Sequence, residues 1–167
     1  GLQLSMGAIM LPLVLPEIVV GVATLALFST LGLSLGYGNL IIAHTVFCIP
    51  FAYLPIRARL NDLDKSLLEA ANDLYANPWQ VFRRVTLPLL WPAVLSGSVL
   101  AFVVSLDDFI MTFFVAGPGS TTLPVYIFSA IKAGVTPEIN AISTLMLVIS
   151  IVLVVLAFWL GQRGKTE

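Results

Sequence analysis

Charge is what this chain has least of. Only 10% of its 167 residues are charged, 59% are hydrophobic, and the mean hydropathy is +1.02. A soluble domain carries roughly a quarter charged residues, so the polar surface needed to coat a water-soluble globule is missing. Neither sign dominates. The net charge of −1 leaves no basic excess for nucleic acid. Cysteine is reduced to Cys48 alone, which excludes an intrachain disulfide. The single histidine, His44, lies one helical turn from Cys48, but two ligands without a third read as packing residues rather than a metal site. No Ser/His/Asp or Cys/His arrangement suggests catalysis. "GQRGKT", Gly161–Thr166, ends like a phosphate loop, yet Trp159 stands where that loop needs its first glycine, so it does not bind ATP. The chain opens Gly1-Leu2-Gln3 without Met or a basic n-region, which is not a signal peptide. It reads as a fragment lacking its N-terminal part.

What is present instead is a series of long apolar runs. About 20 such residues cross a bilayer as a helix, and four segments qualify: Met6–Leu31, Leu40–Ile56, Leu89–Val115 and Ile139–Leu160. The first is interrupted by Pro12, Pro16 and Glu17, and the third carries Asp107 and Asp108. Thr136-Pro137-Glu138 supplies a helix start for the fourth: an N-cap, a proline at the first helical position and an acid in the first turn. "LPVYIFSAIKAG" is apolar but too short to span, and reads as an interfacial or re-entrant helix ended by Gly134. The expectation is a polytopic, all-α transmembrane helix bundle.

Orientation follows from where the cations fall. Arg57, Arg59, Lys65, Arg83 and Arg84 lie in loop 57–88, and Arg163 and Lys165 in the tail, which puts seven of the eight Lys and Arg residues on one side. The positive-inside rule assigns that side to the cytoplasm. Both ends of the chain and loop 57–88 are therefore expected there.

That loop is a polar island in an oily chain. Leu63, Leu67, Ala71 and Leu74 recur at spacings of three and four, with Glu69, Asn72 and Asp73 on the other face, as in an amphipathic helix of about three turns. Asn77-Pro78 breaks it and caps a second short helix, 78–85, bearing Trp79, Val81, Phe82 and Val85. Leu87-Pro88 is expected to stop that helix. Leu67, Leu74, Trp79 and Phe82 form a set of apolar anchors beside charge.

"EAANDLYANPWQVFRRVTLP", Glu69 to Pro88, resembles the EAA loop of type I permease subunits of ABC importers. Glu69, Ala70 and Ala71 match, as do Leu87 and Pro88 at the right distance. The chain departs where the family has glycine, at Tyr75. A glycine there would close the first helix in the left-handed conformation, which tyrosine adopts only at a cost, so the turn is expected to pass to Asn77. "LPEIVVGVATL", "HTVFCIPFAYL", "SLDDFIMTFFVAGPGSTTLPVYIF" and "GVTPEINAISTL" extend the similarity, over nearly the whole chain, to spermidine/putrescine importer permeases.

The resemblance implies a permease domain fragment over 1–167, with four spans where the complete family member has six. It implies a cytoplasmic coupling helix pair at 57–88 that seats in a separate ATPase subunit, through Glu69, Ala70, Ala71, Leu74, Tyr75, Trp79, Phe82, Leu87 and Pro88. A second permease subunit, two ATPase subunits and an extracytoplasmic solute-binding protein complete such an assembly in the bacterial inner membrane. ATP is used by the partner, so the chain itself needs no cofactor and is not an enzyme. Polyamines are the implied solute, another small solute (an amino-acid derivative, a phosphonate, ferric iron) the alternative. An ATPase-independent channel or carrier is the different class.

Acids inside a bilayer cost at least roughly 2.5–3.5 kcal/mol and face a cavity or a partner. Adjacent carboxylates on one helix point about 100° apart, so one of Asp107 and Asp108 is expected on the solute path and the other within the bundle. A multi-amine cation suits a path lined by those acids with Phe109, Phe113 and Tyr126, through charge pairing and cation–π contact. The competing reading is structural, with the acids binding Lys132, hydroxyls or loop amides. Glu17 beside Pro16 reads as structural.

Overall fold

The computed structural model describes residues 2–163, so the cation Lys165 and the end of the Gly-Lys-Thr stretch lie outside the described residues. Nine α-helices follow in chain order among them: α1 (Leu2–Val14), α2 (Glu17–Thr30), α3 (Tyr37–Asn61), α4 (Lys65–Asp73), α5 (Pro78–Val81), α6 (Leu87–Asp107), α7 (Ile110–Val115), α8 (Leu123–Ala133) and α9 (Pro137–Arg163). A π-helical turn, Phe82–Thr86, joins α5 to α6. The described residues contain no strand.

Three helices are long and apolar enough to cross a membrane: Tyr37–Asn61, Pro78–Asp107 and Pro137–Gln162. α9 begins at the expected proline. The first expected span is different. Ser5–Val14 and Glu17–Thr30 meet at an angle of 115° and are not one rod. The cause is local: Pro16 offers no amide proton, disfavours helix at Leu15, and itself sits at φ −56, ψ 134. The third span is also broken, because α6 ends at Asp107 and α7 starts at Ile110. Conversely, Leu87-Pro88 does not stop the helix. The π turn just before it is wider than an α turn, and it takes up the amide that Pro88 lacks and the room its ring needs. The chain from Pro78 to Asp107 is therefore helical throughout.

The chain packs as two compact units. One comprises the chain up to Pro50 with Phe102–Val152; the other comprises Phe51–Ala101 with the chain from Leu153 onward. In the first unit α2 packs on α7 at Gly21, where a Cβ would lie 2.9 Å from the Phe114 ring. In the second, α3 and α6 approach backbone to backbone: a Cβ on Gly97 would lie 2.7 Å from the Ala52 carbonyl oxygen. Arg59 Nε donates to the Leu89 carbonyl (3.3 Å), and Ser96 Oγ donates to the Ala157 carbonyl of α9 (2.7 Å). Small residues and hydroxyls at contacts are how helices associate without a hydrophobic drive in lipid. Large apolar side chains stay outside: Ile41, Leu145 and Val155 are all exposed. In water that surface would be costly, and in a bilayer it is solvated.

The loop helices have the clearest local logic. Asp64 precedes α4 and accepts from the Ser66 amide (2.9 Å), which holds its carboxyl below the usual carboxylate value. The bond favours the charged form, so this cap is present at neutral pH and lost as pH falls through the lowered value. α4 closes with the Ala76 amide bonded to the Ala71 carbonyl (3.2 Å) across Tyr75, which stands at φ 53. That is the wrap-around closure normally given to glycine. The left-handed turn thus falls on Tyr75 and not on Asn77, at a cost of roughly 1–2 kcal/mol for an L side chain. Asn77 instead builds a capping box for α5. Its Oδ1 accepts from the Gln80 amide (2.9 Å) and its amide donates to Gln80 Oε1 (3.1 Å).

Gly97→Val is expected to force α3 and α6 apart and to cost on the order of 1–3 kcal/mol. Gly38→Ala in α3, where a Cβ meets nothing within 4 Å, serves as the neutral control. Unfolding of both variants in detergent micelles checks the pair, and equal stability of the two would contradict the close approach.

Candidate functional site

Two places in the chain concentrate polar chemistry, and each lies within one unit. The first is the break between α6 and α7. Asp108, 5% exposed, sits in it with its carboxylate turned onto the start of α7. Oδ1 accepts from the Met111 amide (3.2 Å), and Oδ2 accepts from the Thr112 amide (2.9 Å) and the Thr112 hydroxyl (3.0 Å). An interrupted helix leaves amides without partners, and a carboxylate at that end also meets the positive end of the helix dipole.

His44 of α3 closes the cluster. Its Nε2 lies 3.2 Å from Asp108 Oδ2 and 2.8 Å from Thr112 Oγ1, while Nδ1 lies 2.8 Å from Ser105 Oγ. A threonine hydroxyl has one proton, and Thr112 gives it to Asp108. The His44–Thr112 bond is therefore donated by Nε2–H. Glu17, at the start of α2, lies beside the Asp108 side chain.

Asp107 is placed differently. It is exposed and accepts from Ser150 Oγ of α9 (3.1 Å). Because the helix ends between them, the two acids are not successive positions of one helix, and the 100° argument does not apply. Asp107 lies at the wall of a cavity of about 390 Å³, otherwise built chiefly of Phe109, Ile127, Phe128, Met146 and Ser150. Phe109 and Phe128 contact each other there, with centroids 4.7 Å apart. Phe113 contacts Phe109 in a tilted arrangement, centroids 5.5 Å apart, but is not part of the wall, and neither is Tyr126. Lys132 pairs with the Phe128 ring, its Nζ 4.5 Å from the centroid. Sequence reasoning missed Phe128, Met146 and Ser150, whose contribution depends on how α8 and α9 pack. It also missed His44 as a partner of Asp108, although a lone histidine in an apolar span was a signal.

The second place is the loop. Ala71 is buried against the second loop helix, while Glu69, Ala70, Leu74, Tyr75, Trp79, Phe82 and Pro88 are exposed and Leu87 is half-buried. Trp79 and Phe82 stack at 5.7 Å. Arg83 and Arg84 flank them on the π turn, and an indentation of about 430 Å³ is lined by Trp79, Gln80 and the two arginines. Of the residues expected to meet a partner, all but Ala71 and Leu87 thus form an outward apolar and charged surface on a short helix pair.

Apolar spans, a bent helix pair and an acid capping a helix break define a multi-pass helical membrane protein. The family of binding-protein-dependent transport system inner membrane components matches over residues 3–163, and the chain belongs to that family. It is 46% identical to the spermidine/putrescine transport system permease protein PotC of Haemophilus influenzae over 165 residues, covering 99% of this chain and 64% of that protein. It is 43% identical to the putrescine transport system permease protein PotI of Escherichia coli K12 over 162 residues, covering 93% of this chain and 58% of that one. The chain thus spans less than two thirds of these relatives. Among solved structures, the inward-facing MetNI methionine ABC transporter shares the fold, with a TM-score of 0.72 over 96% of this chain and 72% of that one, at 21% identity.

Removing the Asp108 carboxylate strands the α7 amides and His44 at once. Asp108→Ala is expected to cost on the order of 3 kcal/mol of stability. Asp107→Ala gives up one exposed hydrogen bond, worth about 1 kcal/mol. Thermal unfolding of both variants in detergent is the check, and a ranking the other way round would refute the capping role.

Proposed function

We propose that this chain is the core of a membrane-spanning permease subunit of an ATP-binding-cassette importer, carrying polyamines such as spermidine or putrescine. The observation that carries the substrate is the cavity between the end of α6, α8 and α9: an apolar, aromatic-flanked trough with a single carboxylate, Asp107, at its wall. An alkylammonium ion fits that chemistry, with its charge on the carboxylate and its methylenes along Phe109, Ile127 and Met146. The likeness to relatives named for spermidine and putrescine transport supports the same reading. Asp107 is the cation contact; Asp108, with both oxygens committed within the fold, is a positioning residue.

Coupling is assigned to loop 57–88. α4 and α5 present Glu69, Leu74, Tyr75, Trp79 and Phe82 outward from a closed, capped helix pair, which is what a separate ATPase needs to push on. Its partners are two ATPase subunits, a second permease subunit and an external solute-binding protein. The loop faces the cytoplasm, as the cation bias of the sequence indicates. ATP is bound and hydrolysed by the partner, and this chain contributes the path rather than the chemistry.

The test is ATP-dependent uptake of labelled spermidine by the full-length permease, assembled with its partners in proteoliposomes, with putrescine and an uncharged amino acid as competitors. Polyamines are expected to compete and the amino acid not. Asp107→Asn is expected to lower uptake at least about tenfold, the equivalent of one lost charge contact, while ATP hydrolysis persists. An ATP-hydrolysing complex that takes up no spermidine would refute the polyamine assignment and leave the permease assignment standing.

A further inference from the structure

The left-handed residue of the coupling loop is also its most exposed aromatic. Tyr75 stands at φ 53, the single non-glycine residue with positive φ among the described residues, and it is 97% exposed. Leu74 beside it is 81% exposed. Backbone conformations of this kind persist only where the surroundings over-determine them, and they cluster at functional positions. Here the backbone is held by the Ala76–Ala71 bond, which a glycine would make with less strain. The tyrosine ring contributes nothing to that closure. With its side chain in solvent, it also has no packing inside the chain to offset the strain. Whatever favours tyrosine at this point lies outside the chain.

We infer that Tyr75 is a specificity-determining contact of this permease with its ATPase subunit, an aromatic knob projected from the strained turn into the partner. The inference rests on the reading of loop 57–88 as the ATPase-coupling surface. Tyrosine is well suited to such a contact, being rigid, losing little rotamer freedom on docking, and ending in a hydroxyl that finds a hydrogen bond where its ring is buried. Aromatic anchors of this type carry a large share of interface energy.

The charge around the knob describes the surface it enters. Asp62, Asp64, Glu69 and Asp73 are all exposed on the α4 side of the turn, while Arg83 and Arg84 are exposed on the other helix. The partner therefore offers an apolar socket with a basic rim towards α4. An ATPase shaped for a glycine at the turn lacks the socket and meets the ring as an obstruction. One side chain at a strained turn thus both favours the cognate ATPase and excludes others, as specificity by paired attraction and clash requires.

The experiment measures ATPase-subunit binding to the full-length permease complex in nanodiscs, for wild type, Tyr75→Gly, Tyr75→Asn, Tyr75→Phe and Trp79→Arg. Glycine and asparagine both accept the left-handed turn, so neither is expected to lower the melting temperature. Both are expected to weaken binding about tenfold, as loss of an aromatic hot spot does, and Tyr75→Phe to retain most of it. Trp79→Arg tests the underlying reading, since it disrupts the loop surface at another point. If Trp79→Arg abolishes binding while Tyr75→Gly and Tyr75→Asn bind as wild type, the Tyr75 assignment is overturned and the coupling surface stands. If Trp79→Arg also binds as wild type, the coupling surface itself is overturned, and the Tyr75 assignment with it. Weakened binding accompanied by a lowered melting temperature in both turn variants would make Tyr75 a folding residue and overturn the assignment as well.

Discussion

A carboxylate at a helix break is the interaction on which the first unit depends. α6 ends inside an apolar stretch where free amides have no water to turn to, and Asp108 supplies the acceptors. Everything adjacent is arranged by it. Thr112 is oriented by the amide and hydroxyl bonds, and His44 of α3 is drawn in through Nε2. α7 in turn gives α2 the face on which Gly21 meets Phe114. The break also separates the fates of two adjacent acids, since it leaves Asp107 as the last residue of α6, beside Ser150 and the aromatic cavity. One acid is committed to the architecture while its neighbour stays exposed at a cavity wall.

The loop is held together differently. It lies outside the apolar spans, so its helices are closed by local devices: an Asp64 cap, a wrap-around end at Tyr75 and a reciprocal Asn77–Gln80 box. Two helices of nine and four residues are too short to persist on propensity alone. Caps and mutual packing make them a defined surface.

The spans were legible because length and apolarity suffice for a helix in lipid, and the cap Asn77 and the first-turn proline Pro137 announced their helices directly. The breaks were less so. Pro16 was visible as an interruption, but its 115° consequence depends on what α1 and α2 pack against. The α6–α7 break contains neither proline nor glycine. Its one signal was an aspartate, a natural cap, in the middle of an apolar run. Pro88 misled in the opposite direction, because a π turn upstream absorbs the defect that normally ends a helix. Of the path residues expected from sequence, Asp107 and Phe109 share a cavity wall while Phe113 and Tyr126 do not. Proximity in sequence placed those residues near one another, but only the packing of α8 and α9 decides which rings share a wall.

The ammonium of Lys132 over Phe128 means that one aromatic face beside the cavity already has a tenant. A second cation on that face would have to displace the lysine, so the face is closed to further cation–π contact while Lys132 holds it.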